Sequence, residues 1–541
     1  MLIYSKSIFY SCVLLKNSYC CVLFFVQCGK EDPGTGIEPI VGTVAINPAS
    51  FNTLSWDTKQ LDIQISWSKT TWRLAKSTGD IIESISVVLG GNASSNGETA
   101  VKIKLYPNTS SAERSQELLL TNFSTKEIIK LKITQQSSPV STKITLNPSV
   151  TFQKVTGFGG MLNPSWTGNN LRDAEVQKLY GDLGFNIIRM MLYPNQSDWG
   201  LNTATEKKAQ SLGAIVFASP WTPPKELKSN GLQSNKDGAY LLLDKYADYA
   251  AHLKAFVDYQ KNQGLNIYAV SIQNEPDWKV DYDGCSWTAT QMLDFVKNYG
   301  DQVGAKLIVG EAVNNYNKSY TNAVLNDPVA VNKFDIAATH LYGSGISDDP
   351  LVRQKGKEFW MTEHLFNETN KTPTDPEINW TWKPSLDMVA KEIHDCMAAN
   401  LNAYVYWYLK RYYGMVADAD SKSLVAEGEV TKRGYIMGHY AKYATGRTRI
   451  QSSIQNIQQL TSDLLVTTYA GTNEYTAVII NRNATGLRIE LALPSEITSS
   501  SAIETNETKN MTAIETKISD DKKAVTVGVS PNSIVSVSMK Y

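Results

Sequence analysis

Two glutamates in this sequence close apolar runs, and both raise the same chemical question. Residues 271–278 read SIQNEPDW, with Glu275 directly before a proline, and residues 358–364 read EFWMTEH, with Glu363 near the end. Tyr268, Ala269, Val270 and Ile272 suit a buried parallel strand, so the Asn-Glu-Pro that follows falls where strand gives way to loop. A single glutamate at such a boundary is most often an ion-pair or capping partner. Two of them on opposite sides of one cleft can do more. Cleaving a glycosidic acetal takes one protonated carboxyl to give a proton to the leaving oxygen, and one carboxylate to attack or stabilise the anomeric carbon.

A scaffold that could oppose two such residues is legible around them. Eight apolar runs follow one another: 155–162, 186–192, 214–221, 267–275, 306–312, 334–342, 358–364 and 403–409. Amphipathic helical stretches lie between most of them, as at 244–263 and 386–400; the sixth connection shows no convincing helix. Eight strand–helix units in this length indicate a (β/α)₈ TIM barrel over 155–446. In such barrels the working residues sit where strands end, and strands four and seven face each other across the mouth.

The flanks read differently. Residues 39–140 carry short alternating runs separated by Gly, Asn, Ser and Thr, the pattern of an all-β, immunoglobulin-like sandwich. Alternation returns over 447–541, and ITLNPSVTFQ within 141–154 reads as a strand of that last sandwich, which would then be built from both ends of the barrel.

Length suggests two to four domains, and 52 Lys+Arg against 53 Asp+Glu gives no reason to expect nucleic acid or an anionic membrane as partner. The 27 Tyr and 12 Trp suit a protein that stacks on sugar rings, although cores use them too. Of six cysteines, Cys12, Cys20, Cys21 and Cys28 fall in the first 28 residues, which leaves Cys285 and Cys396 without a disulfide framework or zinc pattern. Lys6 and Lys16 precede a short apolar stretch from about Tyr19 to Val26, too short to span a bilayer. Residues 1–28 thus read as a secretory signal ending at Cys28, followed by a polar linker over 29–38. The pattern resembles a bacterial lipoprotein leader, which implies acylation of Cys28 and an outer-membrane or cell-surface position in a Gram-negative bacterium; a cleaved signal releasing a free product is the alternative. GFGG at 157–160 lacks the spacing of a phosphate loop, and the five histidines show no HExxH pairing, so neither cofactor nor catalytic metal is expected.

Taken in order, GFGGMLNPSW, ASPWTPP, SIQNEP, THLYG, FWMTEH, YVYWYLKRYYG and KRGYIMGHYAKY resemble glycoside hydrolase family 30 across about residues 142–541. The resemblance implies that Glu275 is the acid/base, Glu363 the nucleophile, and the reaction a retaining double displacement. It implies further that Asn274 holds the hydroxyl beside the anomeric carbon and that Arg189 hydrogen-bonds Glu363; Arg189 could instead pair with another buried acid. Trp166, Trp221 and Tyr342 would wall the sugar subsites, or pack the barrel, and His340 would join the polar network near the nucleophile. WYLKRYYG at 407–414 resembles the glucuronoxylanase subfamily, in which Arg411 and Tyr413 would bind the carboxylate of a glucuronic acid branch. Lys410 would reinforce the positive field, while Leu365 stands where an aromatic residue is common. WRLAKSTGD and LKITQQSSP resemble the BACON-type module that precedes many bacterial glycan-degrading enzymes.

The expectation is therefore a monomeric, endo-acting hydrolase of β-1,4-xylan, chiefly glucuronoxylan. Alternatives are another β-glycan (β-1,6-glucan, bare xylan or chain-end xylose) or a non-catalytic surface glycan-binding protein.

Overall fold

A computed structural model of the chain describes residues 41–108, 112–138, 142–343, 345–368, 378–456 and 463–541. The leader, Cys28 and the linker lie outside the described residues. Among those described, no helix is long and apolar enough to cross a membrane, and Cys285 and Cys396 are free and buried.

The barrel strands are β1 Gly157–Leu162, β2 Ile187–Met191, β3 Ile215–Ser219, β4 Ile267–Ser271, β5 Lys306–Ala312, β6 Ile336–His340, β7 Glu358–Glu363 and β8 Ala403–Tyr406. Each pairs in parallel with the next, and β8 closes on β1. Parallel strands buried on both faces need apolar residues throughout, which is why these runs stood out. The tightest approach is at Gly159: a Cβ there would lie 1.7 Å from the Ile187 carbonyl oxygen, so GFGG is a packing requirement of the β1–β2 pair.

The helices that cover the barrel start where local chemistry directs. Ala289–Tyr299 opens with a capping box, in which Thr288 Oγ1 accepts from the Gln291 N–H at 3.2 Å and the Gln291 side chain accepts from the Thr288 N–H at 2.8 Å. The sixth connection does contain a helix, Pro350–Gln354, launched by a proline at its first position. Five residues give too few turns to show an apolar period, so it left no signal in the sequence.

Ahead of the barrel, strands from Thr43–Asn47 to Ile128–Gln135 form a six-stranded antiparallel sheet with its own core, in which Trp72 is fully buried and Trp67 half-buried. Behind it lies a ten-stranded sheet. Its strand Thr142–Lys154 pairs antiparallel with Thr448–Asn456 and parallel with Leu487–Ala492. The barrel is tied to this sheet through helix Lys432–Ala444, whose buried His439 contacts Ser536 Oγ at 2.8 Å and Thr505 Oγ1 at 2.9 Å.

Candidate active site

Alternation along the barrel strands sorts the interior into two storeys. Ile187, Phe217, Ala269 and Ala338 fill an apolar layer, and two positions further on the same inward face carries Arg189, Ser219, Ser271 and His340. All four of these polar residues are buried. The floor of the site is thus encoded as an apolar residue followed two places later by a polar one.

Glu363 is the last residue of β7. Glu275 is not the end of β4: the strand stops at Ser271, and Glu275 sits four residues beyond, on a turn with φ +45°. That left-handed backbone is uncommon for a non-glycine residue and must be held by its surroundings. The Glu275 N–H donates to the Glu311 carbonyl at 3.0 Å, the Asn274 N–H donates to the Pro220 carbonyl at 2.9 Å, and the Trp278 N–H closes the turn on the Glu275 carbonyl at 3.1 Å. Side-chain oxygens of Glu275 and Glu363 and a ring nitrogen of His340 all fall within 4.8 Å of one another.

Arg189 is the hub beneath them. Its Nη1 donates to Glu363 Oε2 at 2.5 Å, and its Nη2 donates to Asn274 Oδ1 at 2.6 Å and to Glu311 Oε1 at 3.1 Å. The sequence left open whether Arg189 serves Glu363 or another buried acid; it serves both. Glu311 is a functional-site neighbour that sequence reasoning missed. It is fully buried, and it reaches the interior through a bulge at Gly310–Ala312, where Gly310 has φ +110° and Glu311 φ +50°. The available signal was a charge inside the apolar run KLIVGEA, just as Arg189 is a charge inside NIIRMML.

The two facing acids stand in different surroundings. Burial, followed by the negative charge of Glu363, raises the Glu275 pKa, and its bond to His340 opposes only part of that rise. Glu363 meets donors on both oxygens, Arg189 on one and the Tyr342 hydroxyl at 3.0 Å on the other. His340 Nδ1 lies 3.0 Å from Glu275 Oε1, so its hydrogen bond goes to Glu275 and not to Glu363. Burial alone would lower the His340 pKa, but the carboxylates Glu363, Glu275 and Glu311 outweigh it and carry it to about 9. Glu311, despite burial, is held down at about 2 by Arg189 and His340. Glu275, His340 and Glu363 are close enough together to hold a metal, but the Arg189 guanidinium bonded to Glu363 supplies the positive charge there and would repel a cation.

Aromatic rings surround this centre. Trp221 is 3 % exposed and lies under the Arg189 guanidinium at 4.8 Å, whereas Trp166 is 43 % exposed and packs edge-on to Trp221, Trp407 and Tyr282. Trp221 is therefore mainly a support, and Trp166 presents open surface. Trp407 and Tyr408, joined by a cis peptide bond, lie with ring centroids 3.9 Å apart and planes tilted by 33°, and complete the wall. Sequence reasoning did not single out Tyr282. Its ring packs edge-on to Trp166 at 5.5 Å, and burial first, then the charges of Glu275 and Glu363, push its phenol up to about 12.

After β8, Arg411 is partly exposed, with its guanidinium 5.6 Å from the Tyr412 ring and Nη1 3.4 Å from Asp418 Oδ2. Its Nε is buried and has no hydrogen-bond partner among the described residues. Tyr413 is buried next to it. Lys410 does not add to a field around a ligand: its ammonium is buried against Glu175 at 3.0 Å and Glu427 at 3.3 Å, which neutralise it. The loops that carry these groups are pinned by Arg433, which donates to the carbonyls of Phe366, Asn379 and Tyr413 and to the Tyr406 hydroxyl.

No family model matches the chain. Individual relatives do. It is 36 % identical to glucuronoxylanase XynC of Bacillus subtilis strain 168 over 65 % of this chain and 80 % of that protein. To a second Bacillus subtilis glucuronoxylanase XynC it is 34 % identical over 71 % of this chain and 88 % of that one. Among solved structures, a glycoside hydrolase family 30 subfamily 8 xylanase from Clostridium acetobutylicum superposes with a TM-score of 0.65 at 32 % identity, over 74 % of this chain and all of the other.

Proposed function

Since the chain belongs to glycoside hydrolase family 30, we propose that it is a retaining, endo-acting hydrolase of β-1,4-xylan that selects glucuronoxylan through the acid branch. One observation carries the mechanism: Glu275 and Glu363 bring their oxygens within 4.8 Å, close to the separation of about 5–5.5 Å between carboxyl groups that characterises retaining enzymes and short of the roughly 6.5–9.5 Å that leaves room for a water.

In the first step a Glu363 oxygen bonds to the anomeric carbon while the glycosidic C–O bond breaks, and the Glu275 proton passes to the departing oxygen. In the second, water gives a proton back to Glu275, its oxygen bonds to the anomeric carbon, and the ester to Glu363 breaks. Arg189 and Tyr342 orient Glu363; His340 orients Glu275. Asn274, with its oxygen engaged by Arg189, keeps its amide N–H groups for the neighbouring sugar hydroxyl, a contact that strengthens in the transition state. Trp166 lines the glycone side over Trp221, and Arg411, whose side chain is partly exposed, receives the branch carboxylate together with Tyr413.

A specific observation favours a second reading, action on bare xylan: Asp418 already stands 3.4 Å from Arg411 and competes with a ligand carboxylate. Product analysis on glucuronoxylan beside debranched xylan decides. Products with one uronic acid at a fixed position, released faster from the branched polymer, support selection; identical neutral ladders from both polymers would remove it. Early NMR spectra showing an inverted hemiacetal would overturn the double displacement. The immunoglobulin-like BACON-type module and the acylated Cys28 complete the proposal as a spacer and a surface anchor.

A further inference from the structure

Glu311 is out of step with its strand. Alternation along β5 puts Ile308 in the apolar layer, so Gly310 should supply the polar position two places on. Instead the bulge at Gly310–Ala312 turns the Glu311 side chain inward, onto Arg189. Only glycine fits before it, because a Cβ at residue 310 would lie 2.4 Å from the Ala338 carbonyl oxygen. Left-handed backbone at a charged residue, φ +50° here, persists where the surroundings over-determine it, and such places gather at functional sites.

Glu311 holds Glu275 by two routes. Its backbone carbonyl accepts the Glu275 N–H at 3.0 Å, which fixes the turn. Its carboxylate stands on the far side of His340: Glu311 Oε1 lies 3.8 Å from Nε2, while Nδ1 lies 3.0 Å from Glu275 Oε1. His340 Nε2 and Glu311 Oε2 are buried with no hydrogen-bond partner among the described residues. An imidazole set between two carboxylates favours a proton on each nitrogen. Among the described residues, the charged and titratable groups that face His340 and Glu275 are Glu363, Glu311, Arg189, Tyr342 and Tyr282. Against burial, Glu363 does most to keep His340 charged, yet it loses its own charge on becoming an ester. Glu311 does not react, and against burial Arg189 keeps it ionised. It is the counter-charge that persists through both steps.

A doubly protonated ring decides where Glu275 carries its own proton. Nδ1 donates to Glu275 Oε1, a place best filled by the carbonyl oxygen of a protonated carboxyl, so the acid proton sits on Oε2. We propose that Glu311 is a positioning residue for the acid/base: its carboxylate keeps His340 an imidazolium, and the imidazolium directs the Glu275 proton to the oxygen that meets the leaving group. This role rests on the hydrolase reading. Once the proton has passed to the leaving oxygen, the same Nδ1–H stabilises the Glu275 carboxylate until water returns a proton to it.

The test is a pH profile. Glu275 and His340 titrate as a pair, so removing a fixed negative charge beside them makes the first proton leave at lower pH. In Glu311→Gln, which keeps size and backbone, the alkaline limb of kcat/KM on glucuronoxylan is therefore expected about one to three pH units below that of the wild-type full chain. The loss should fall on kcat more than on KM, and Glu311→Asp, which restores the charge, should return the limb toward its wild-type position. A limb that stays in place in Glu311→Gln, whatever the activity, would make Glu311 a structural prop and overturn the role. Should that variant not fold, nitrogen-15 NMR of histidine-labelled wild type decides, with His340 identified by the signals lost in His340→Asn. Both ring nitrogens are expected to be protonated at neutral pH; one bare nitrogen would overturn the role. A wild type idle on glucuronoxylan and on debranched xylan alike would instead sink the hydrolase reading, and the role of Glu311 with it.

Discussion

At the scale of residues, the site is one cation shared by several acids. Arg189 touches Glu363, Glu311 and Asn274 and is itself fully buried, so its removal leaves two buried carboxylates without their counter-charge. Breaking such a pair costs about 3–5 kcal/mol, and Arg189→Met is expected to lose that much in urea unfolding at neutral pH. The deficit should depend on pH in a defined sense. In the native protein Glu311 titrates at about 2 against an ordinary 4.5, so its contribution is present above 4.5 and fades as pH falls through about 2. Without Arg189 that carboxyl can protonate at higher pH, so the gap between variant and wild type should narrow on acidification from 7 to 4. A constant gap would mean that Arg189 acts through packing alone. Arg189 and Glu311 both lie as charges inside apolar runs of the sequence, although only Arg189 was singled out from it. Which acid the arginine would choose was not, because that depends on a bulge in β5.

At the scale of elements, positions that looked equivalent in sequence play different parts. The runs ending in Glu275 and Glu363 read alike, yet β7 delivers Glu363 directly, while β4 stops short and hands Glu275 to a turn in left-handed backbone. A strand end could be inferred from apolar content; the turn is imposed by hydrogen bonds to Pro220 and Glu311, far away in the chain. The loops after β7 and β8 are likewise held from a distance. Arg433 lies in a helix that follows them and satisfies carbonyls of both. Arg433→Met should therefore cost about 2–4 kcal/mol through carbonyls left unpaired. It should also impair handling of branched xylan more than of an aryl glycoside, because Tyr413 is the group released. Thermal denaturation together with the two activities checks this; equal loss on both substrates would deny the loops the proposed role in branch binding. Lys410 illustrates the limit of local reading: beside Arg411 it looks like part of one basic patch, but Glu175, from the other end of the barrel sequence, has already claimed it.

At the scale of the whole molecule, the barrel and the last sheet form a joint structure. Strand Thr142–Lys154, before the barrel, finds its partners only after it, and Gln153 Nε2 donates to the Met397 and Leu401 carbonyls of the barrel at 2.7 and 3.0 Å. A chain ending at residue 446 should thus expose an unpaired apolar strand and the face around His439, and is expected to be insoluble or to unfold well below the full chain. Soluble, active protein from that truncation would show the sheet to be dispensable. The sequence by itself determined the barrel, because parallel strands buried on both faces must be apolar along their length, and it determined the opposed Glu275 and Glu363, because barrel geometry turns strand order into position. Only the tertiary structure decided the electrostatics, namely Glu311 as a third acid, His340 bonded to Glu275, and Lys410 neutralised. Charge interactions act across space between residues remote in the chain, and no local period or motif records them.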